Sequence, residues 1–140
     1  MIQIKVDIAA KGNFGGKRDK EEIKYLVIHY TANDGDSAKG NANYFKNHIV
    51  EASAHYFVDD AGIVQSVPDD FAAYSVGGKK YPSCAKTGGG RFYGKCTNAN
   101  SISVELCDTR KNGKYDFTEK TLENAAELSR LLLKKYNIPV

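Results

Sequence analysis

Along this chain, hydrophobic and polar positions alternate, run together or recur at helical spacing in an order that reads as separate elements. Ile2-Gln3-Ile4-Lys5-Val6 alternates, which predicts a short edge strand, and the glycine-containing stretch to residue 20 reads as an extended surface segment. Tyr25-Leu26-Val27-Ile28, within Ile23 to Tyr30, is continuously apolar and predicts a strand covered on both faces in the middle of a sheet. Thr31 to Asp36 is a loop. Asp36 or Ser37 then caps a helix over Ala38 to Ile49, with Ala42, Phe45 and Ile49 on its buried face. Ser53–Asp59 and Ile63–Val67 flank the turn Asp60-Ala61-Gly62 and form a hairpin that Pro68 ends. From Gly77 to Asn100 the periodicity is lost, and a loop of this length in a compact domain is more often functional than not. Ile102, Val104 and Leu106 alternate with Ser101, Ser103, Glu105 and Cys107, the pattern of a half-buried strand. After a turn at Asn112-Gly113, Thr118 caps a last helix to about Tyr136. Its buried face is Leu122, Ala125, Ala126, Ser129, Leu132, Leu133 and Tyr136. The order predicts an α/β fold, a central sheet flanked by helices.

Composition narrows the class. At 140 residues the chain is one domain, and 41% hydrophobic with 26% charged residues excludes a disordered chain. No apolar run approaches the roughly 18 residues of a membrane span. The alternating N-terminus is not a Sec-type signal peptide. A net charge of +3 is too small to imply nucleic acid. Cys84, Cys96 and Cys107 form no Cys-x-x-Cys pair, and so sparse and odd a set argues for synthesis in a reducing compartment. Free thiols are the preferred reading, with a Cys84–Cys96 loop disulfide as the alternative.

Three residues stand out chemically. His29 ends an apolar strand and precedes a loop, the place where open α/β sheets put their sites. An imidazole there ligates a metal or acts as a base, unless it is only a hydrogen-bonded strand-end histidine. Glu105 interrupts an apolar strand, which is costly unless it faces water, a cation or a cavity. Alternation puts it on the face of Ser101 and Ser103, where it is a candidate general base or a plain solvent-facing glutamate. His55 lies on a strand expected beside the first and either lines the same cleft or belongs to the core. His48 reads as solvated. Tyr81, Phe92 and Tyr93 in the long loop stack on a sugar or pin the loop. No Walker motif, dinucleotide fingerprint, His-Glu-x-x-His or Gly-x-Ser-x-Gly is present.

Three blocks, Tyr25–Ala32, Ser53–Gln65 and Asn98–Cys107, together resemble the zinc N-acetylmuramoyl-L-alanine amidases, the group of phage endolysins, bacterial autolysins and peptidoglycan recognition proteins. The likeness runs over roughly Tyr25 to Tyr136 and is closest to a phage or prophage endolysin. It implies the mixed sheet of that fold. It also implies a peptidoglycan hydrolase that cuts the amide between the lactyl group of N-acetylmuramic acid and L-alanine of the stem peptide. One Zn²⁺ would polarise the carbonyl and activate a water. By match to the motifs His29 is a zinc ligand, and Glu105 takes the water's proton and passes it to the leaving amine; His55, Tyr30 and Tyr93 are the candidate substrate contacts. Some branches place a catalytic tyrosine where this chain has Ala54, which favours Glu105.

In the family, the last helix is followed by a segment carrying a second zinc histidine, a lysine and a third ligand, Cys or Asp. Here the sequence stops at Ile138-Pro139-Val140. The expectation is a truncated amidase domain with further zinc ligands beyond Val140, weak or absent zinc binding and little activity. It would be made in the cytoplasm without a signal and act on the bacterial wall after release, with no membrane insertion. Apolar surface left open by a missing segment makes a homodimer a further expectation. The alternatives are a non-catalytic peptidoglycan-binding module of the same fold and a regulatory protein-binding role, to which nothing in the sequence points. The reading requires His29 and Glu105 to face each other across one trough, with room for a metal and its hydroxide.

Overall fold

Alternating apolar positions on short strands need two covering layers, and this chain supplies one helix for each face of a sheet. The computed structural model describes residues 2–76 and 90–140. Expectations for residues 77–89, including Tyr81, the Cys84–Cys96 alternative and most of the long loop, lie outside the described residues. In chain order the elements are β1 (Ile4–Val6), β2 (Phe14–Lys17), β3 (Tyr25–Tyr30), α1 (Ala38–Asn47), β4 (Tyr56–Val58), β5 (Ile63–Gln65), β6 (Phe71–Ala73), β7 (Ser101–Leu106) and α2 (Glu119–Lys135). The main sheet is mixed, in the order β1-β5-β4-β7-β3, and β2 pairs with β6 in a small second sheet. Strand β7 runs parallel to both β3 and β4, β4–β5 is the expected antiparallel hairpin, and β1 lies parallel to β5 at the edge.

Residue parity sorts the core. Tyr56, Val58, Ile102, Val104 and Leu106 face α2 and pack on Ala125, Leu128 and Leu132. Phe57, Val64 and Cys107 face α1 and pack on Ala38, Ala42 and Phe45. Phe45 stacks on Phe57 at 5.6 Å. Ser37 caps α1, its hydroxyl accepting from Gly40 N–H at 3.0 Å. The other end of the helix is closed by Asn13, whose amide donates to Phe45 O at 2.6 Å and His48 O at 2.7 Å. That cap stops the helix at Asn47 and leaves Ile49, expected on the buried face, 70% exposed.

Two expectations are corrected. The strand at Tyr25–Tyr30 is an edge strand, not a central one, and Ile28 is half exposed. Its continuous apolar run is explained by side cover: Phe92 packs on Tyr25, while Tyr115 and Phe117 pack on Tyr30. The strand covered on both faces is β7, buried everywhere but at Glu105. The buried face of α2 is also rotated. Thr121, Asn124 and Leu128 point inward, whereas Leu122 and Ala126 are exposed. The two polar side chains are tolerated because both are bonded: Asn124 donates to Asp59 O at 2.9 Å, and the Thr121 hydroxyl lies 3.0 Å from those of Thr109 and Thr118.

Under β4 and β7 lies a buried polar node. Arg18, 5% exposed, donates to Asp69 O, Asn98 O and Ser101 O at 3.0, 3.0 and 2.6 Å. Beside it His55 accepts from Ser103 N–H at Nδ1, 3.1 Å. The ring proton is therefore on Nε2, which donates to Phe71 O at 2.8 Å. Burial, with the nearby Arg18 charge against it as well, pushes the His55 pKa down to about 4. The folded protein keeps this ring neutral, while the unfolded chain protonates it near 6.5. Stability from this group is thus complete above pH 7. It falls as pH drops through 6.5 toward 4, by about 2 kcal/mol at pH 5. Urea unfolding at pH 7.5 and pH 5 checks this: the wild type should lose about 2 kcal/mol more than His55→Gln between the two conditions. An equal loss in both proteins would assign the acid sensitivity to other groups.

Candidate active site

The register of β3 on β7 pairs His29 with Glu105 across a parallel ladder, so both side chains leave the sheet on the same face. His29 Nδ1 and Glu105 Oε1 are 3.5 Å apart, with side chains 38% and 19% exposed. Both stand at the C-terminal ends of parallel strands, where the chain turns into the loops after residues 30 and 106. Glu105 Oε2 and the nearby Thr31 Oγ1 are buried and bonded to no described residue. Asp108 Oδ2 shares this condition, but of the two carboxylates only Glu105 lines the cleft, where an unused oxygen can meet a ligand.

Glu105 opens into a cleft of about 290 Å³ between α1 and the segments at 31–33, 52–54 and 74–75. Thr31, Asn41, Ser53, Phe57 and Tyr74 are among its walls. Two non-glycine residues with left-handed backbone, Ala32 (φ 58°) and Glu51 (φ 55°), are next in sequence to lining residues Thr31, Asn33 and Ala52. Backbone strain of this kind gathers at sites whose geometry the surroundings enforce. A larger cavity of about 540 Å³ lies on the α2 face, lined by residues such as Ile4, Ile23, Leu131 and Tyr136. Its recessed carboxylate, Asp69, is fully engaged by Tyr56 at 2.6 Å, Gln65 at 3.2 Å, Lys135 at 3.3 Å and the Tyr136 hydroxyl.

The structure thus brings together His29 and Glu105 from the residues singled out in the sequence. Tyr30 reaches the cleft rim, but its ring packs at 5.4 Å on Tyr115. His55 is corrected: it is 1% exposed, lies beneath the floor and touches no open space, because both its nitrogens are needed by the backbone around it. Tyr93 is not among the residues lining this cleft and follows Phe92, which packs on Tyr25 at the end of β3 remote from His29. His48 is exposed and stacks on Tyr44, as expected of a solvated histidine. Cys96 and Cys107 are free thiols, and burial pushes the Cys107 pKa far up, leaving it inert. Sequence reading missed Thr31, Asn41, Ser53 and Tyr74. For Asn41 a signal existed, since it shares the helix face of Ala38, Ala42 and Phe45, a polar residue on an otherwise apolar stripe.

The donor set does not complete a zinc site. Among the described residues no three His, Cys, Asp or Glu side chains converge, whereas a catalytic zinc takes three protein ligands.

Comparison with known proteins places this geometry. Residues 19–140 match the N-acetylmuramoyl-L-alanine amidase family. The amidase CwlL of Bacillus licheniformis is 35% identical over 123 residues, which are 83% of this chain and 31% of that protein. The amidase CwlH of Bacillus subtilis (strain 168) is 33% identical over 142 residues, 100% of this chain and 50% of that protein. The chain therefore spans about a third to a half of the length of these curated relatives. The solved structure of PlyL superposes with a TM-score of 0.73 at 29% identity, covering 99% of this chain and 77% of that one. The catalytic domain of XlyA does so with a TM-score of 0.72 at 26% identity, covering 99% and 80%. A parallel β3–β7 pair carrying His29 and Glu105, on a mixed sheet shared with these endolysin domains, belongs to a chain that is a member of the N-acetylmuramoyl-L-alanine amidase family.

Proposed function

We propose that this chain is a single amidase domain that hydrolyses the amide between the lactyl group of N-acetylmuramic acid and L-alanine in bacterial peptidoglycan. The observation that carries the reading is the His29–Glu105 pair, fixed in register at the mouth of a polar cleft. Family membership suggests the bond, and the geometry suggests which group moves the proton. Glu105 accepts a proton from water as the water oxygen adds to the lactyl carbonyl carbon. When the carbon–nitrogen bond breaks, Glu105 returns that proton to the departing L-alanine nitrogen, leaving a carboxylate and a free amine. Its side chain, 19% exposed, is recessed yet in contact with solvent, which suits repeated proton exchange. The reading needs no second copy of the chain. No helix among the described residues is long and apolar enough to cross a membrane.

The amidase family is generally zinc-dependent, and His29 is the proposed ligand from this chain. One imidazole and one carboxylate fall short of a catalytic zinc site, so residues 1–140 alone are proposed to hold zinc weakly or not at all and to have little activity. The same shortage favours a second reading, a muropeptide-binding module that holds the wall polymer without cutting it.

Metal analysis of purified 1–140, loaded with zinc and desalted, should find well below one zinc per chain. Stoichiometric zinc would overturn the weak-binding proposal. Prolonged digestion of purified cell walls with excess 1–140 should expose new N-terminal L-alanine and no new reducing sugar ends. Glu105→Gln, with an unchanged unfolding midpoint, should lower that release by about 100-fold or more. Reducing ends without N-termini would refute amidase chemistry, release undiminished in Glu105→Gln would refute the base, and binding without release would select the second reading.

A further inference from the structure

Asn41 occupies the wall of the cleft with its amide already oriented by the protein. Its Nδ2 donates to Asp36 Oδ2 at 2.6 Å and to Ser37 O at 2.8 Å, and lies 3.6 Å from Cys107 Sγ. Asp36 Oδ2 and Ser37 O can only accept, so the NH₂ group must face them and the amide cannot turn over. Asp36 is itself fixed, since its other oxygen accepts from Asp108 N–H at 2.7 Å. The carbonyl oxygen Oδ1 is left as the free end of a rigid group. No described residue donates to it, and Asn41 lines the cleft.

An immobilised acceptor in a concave site, with no partner of its own, selects a ligand that brings a donor there. Glu105 and Thr31 share the same cleft, and Glu105 Oε2 adds a second acceptor without a protein partner. Resting on the muropeptide reading above, we infer that Asn41 Oδ1 accepts a hydrogen bond from an amide N–H of the bound muropeptide and is a specificity-determining residue of the cleft. A muropeptide carries such donors on its acetamido group and along its stem peptide. The acetamido donor belongs to the glycan and the remaining amide donors to the stem peptide, so the stem peptide adds N–H groups that bare glycan lacks. Asp36 holds the Asn41 amide in place with one oxygen while its other oxygen ties the helix start to Asp108 N–H.

The test is binding of muramyl-L-alanyl-D-isoglutamine to 1–140, followed by NMR titration, so that turnover is not required. Asn41→Ala should weaken binding roughly three- to tenfold, the loss of one hydrogen bond to a neutral partner. Asn41→Ser, short of the cleft but still able to donate to Ser37 O, should lose as much. Asp36→Ala keeps the acceptor while freeing its tether and should lose clearly less. Urea unfolding midpoints of the three variants are read alongside. Binding unchanged in Asn41→Ala and Asn41→Ser overturns the inference while leaving the muropeptide reading intact. So does an equal loss in Asp36→Ala, which would make the effect one of helix placement. Absence of binding by the wild type overturns the muropeptide reading and this inference with it.

Discussion

Strand β7 is buried at every position but one, and its single ionisable side chain stands at that one. A carboxylate at residue 102 or 104 would lose its water in the apolar layer against α2, at a cost of several kcal/mol. Glu105 avoids this because β7 ends beside an edge strand. The edge position of β3 leaves His29 38% exposed and lets solvent reach the carboxylate across it. Were β3 central, as its apolar run suggests, a further strand would close that side and Glu105 would need a permanent counter-charge. The cleft and the edge strand are therefore one feature: the sheet stops where its charged residue begins.

The cleft keeps its shape through polar clamps more than through apolar bulk. The buried residues of α1 are only Ala38 and Ala42, small side chains with little apolar area to hold a helix in place. Side chains from elsewhere grip it instead. Asp59 accepts from Ala38 N–H at 2.8 Å at its start, and from Ala61 and Gly62 N–H in the hairpin turn, both at 2.9 Å. Asn13 holds the other end and accepts from Val50 N–H at 2.7 Å. Asp36 joins the helix start to the strand end after β7. Each bond contributes only about 1 kcal/mol net, but losing one partner of a buried pair costs more, about 1–3 kcal/mol, so the clamps enforce position more strongly than they add stability. A wall held in this way moves little, which is what a site needs if its acceptors are to point at a ligand.

The sequence carried most of the framework and half of the site. The hairpin, both helices, the Thr118 cap, a first cap narrowed to Asp36 or Ser37, and the buried Ile102-Val104-Leu106 row were all readable from period and capping chemistry. Strand order was not, because an apolar run reports only that a strand is covered, and rings such as Phe92 and Tyr115 cover an edge as well as a neighbouring strand does. The rotation of α2 was hidden for a related reason: Thr121 and Asn124 are interior residues whose partners, Thr109 and Asp59, are distant in sequence. Strand β6 and the Arg18 node escaped because Phe71–Ala73 is too short for a period and Arg18 looks like any surface charge. His29 and Glu105 were visible as chemistry out of place in apolar strands. His55 looked the same and proved structural, since a sequence cannot show whether a ring's nitrogens are already occupied.

That last distinction also decides between the two cavities. By size the space beside Asp69 has the better claim, at about 540 Å³ against about 290 Å³. Yet Asp69 has two phenols, an amide and an ammonium on its two oxygens. Burial, reinforced by Asp69, raises the Tyr56 and Tyr136 pKa values far up, so both phenols stay protonated and remain donors. A ligand or proton arriving at Asp69 would have to displace bonds already made. Glu105 has one imidazole at 3.5 Å, longer than a good hydrogen bond, and a second oxygen that no described residue uses. The two carboxylates are chemically alike and similarly recessed, 12% and 19% exposed, and what separates them is how much of their bonding capacity the fold has consumed. Of these two carboxylates among the described residues, the one with bonding capacity left over is Glu105, at the end of β7.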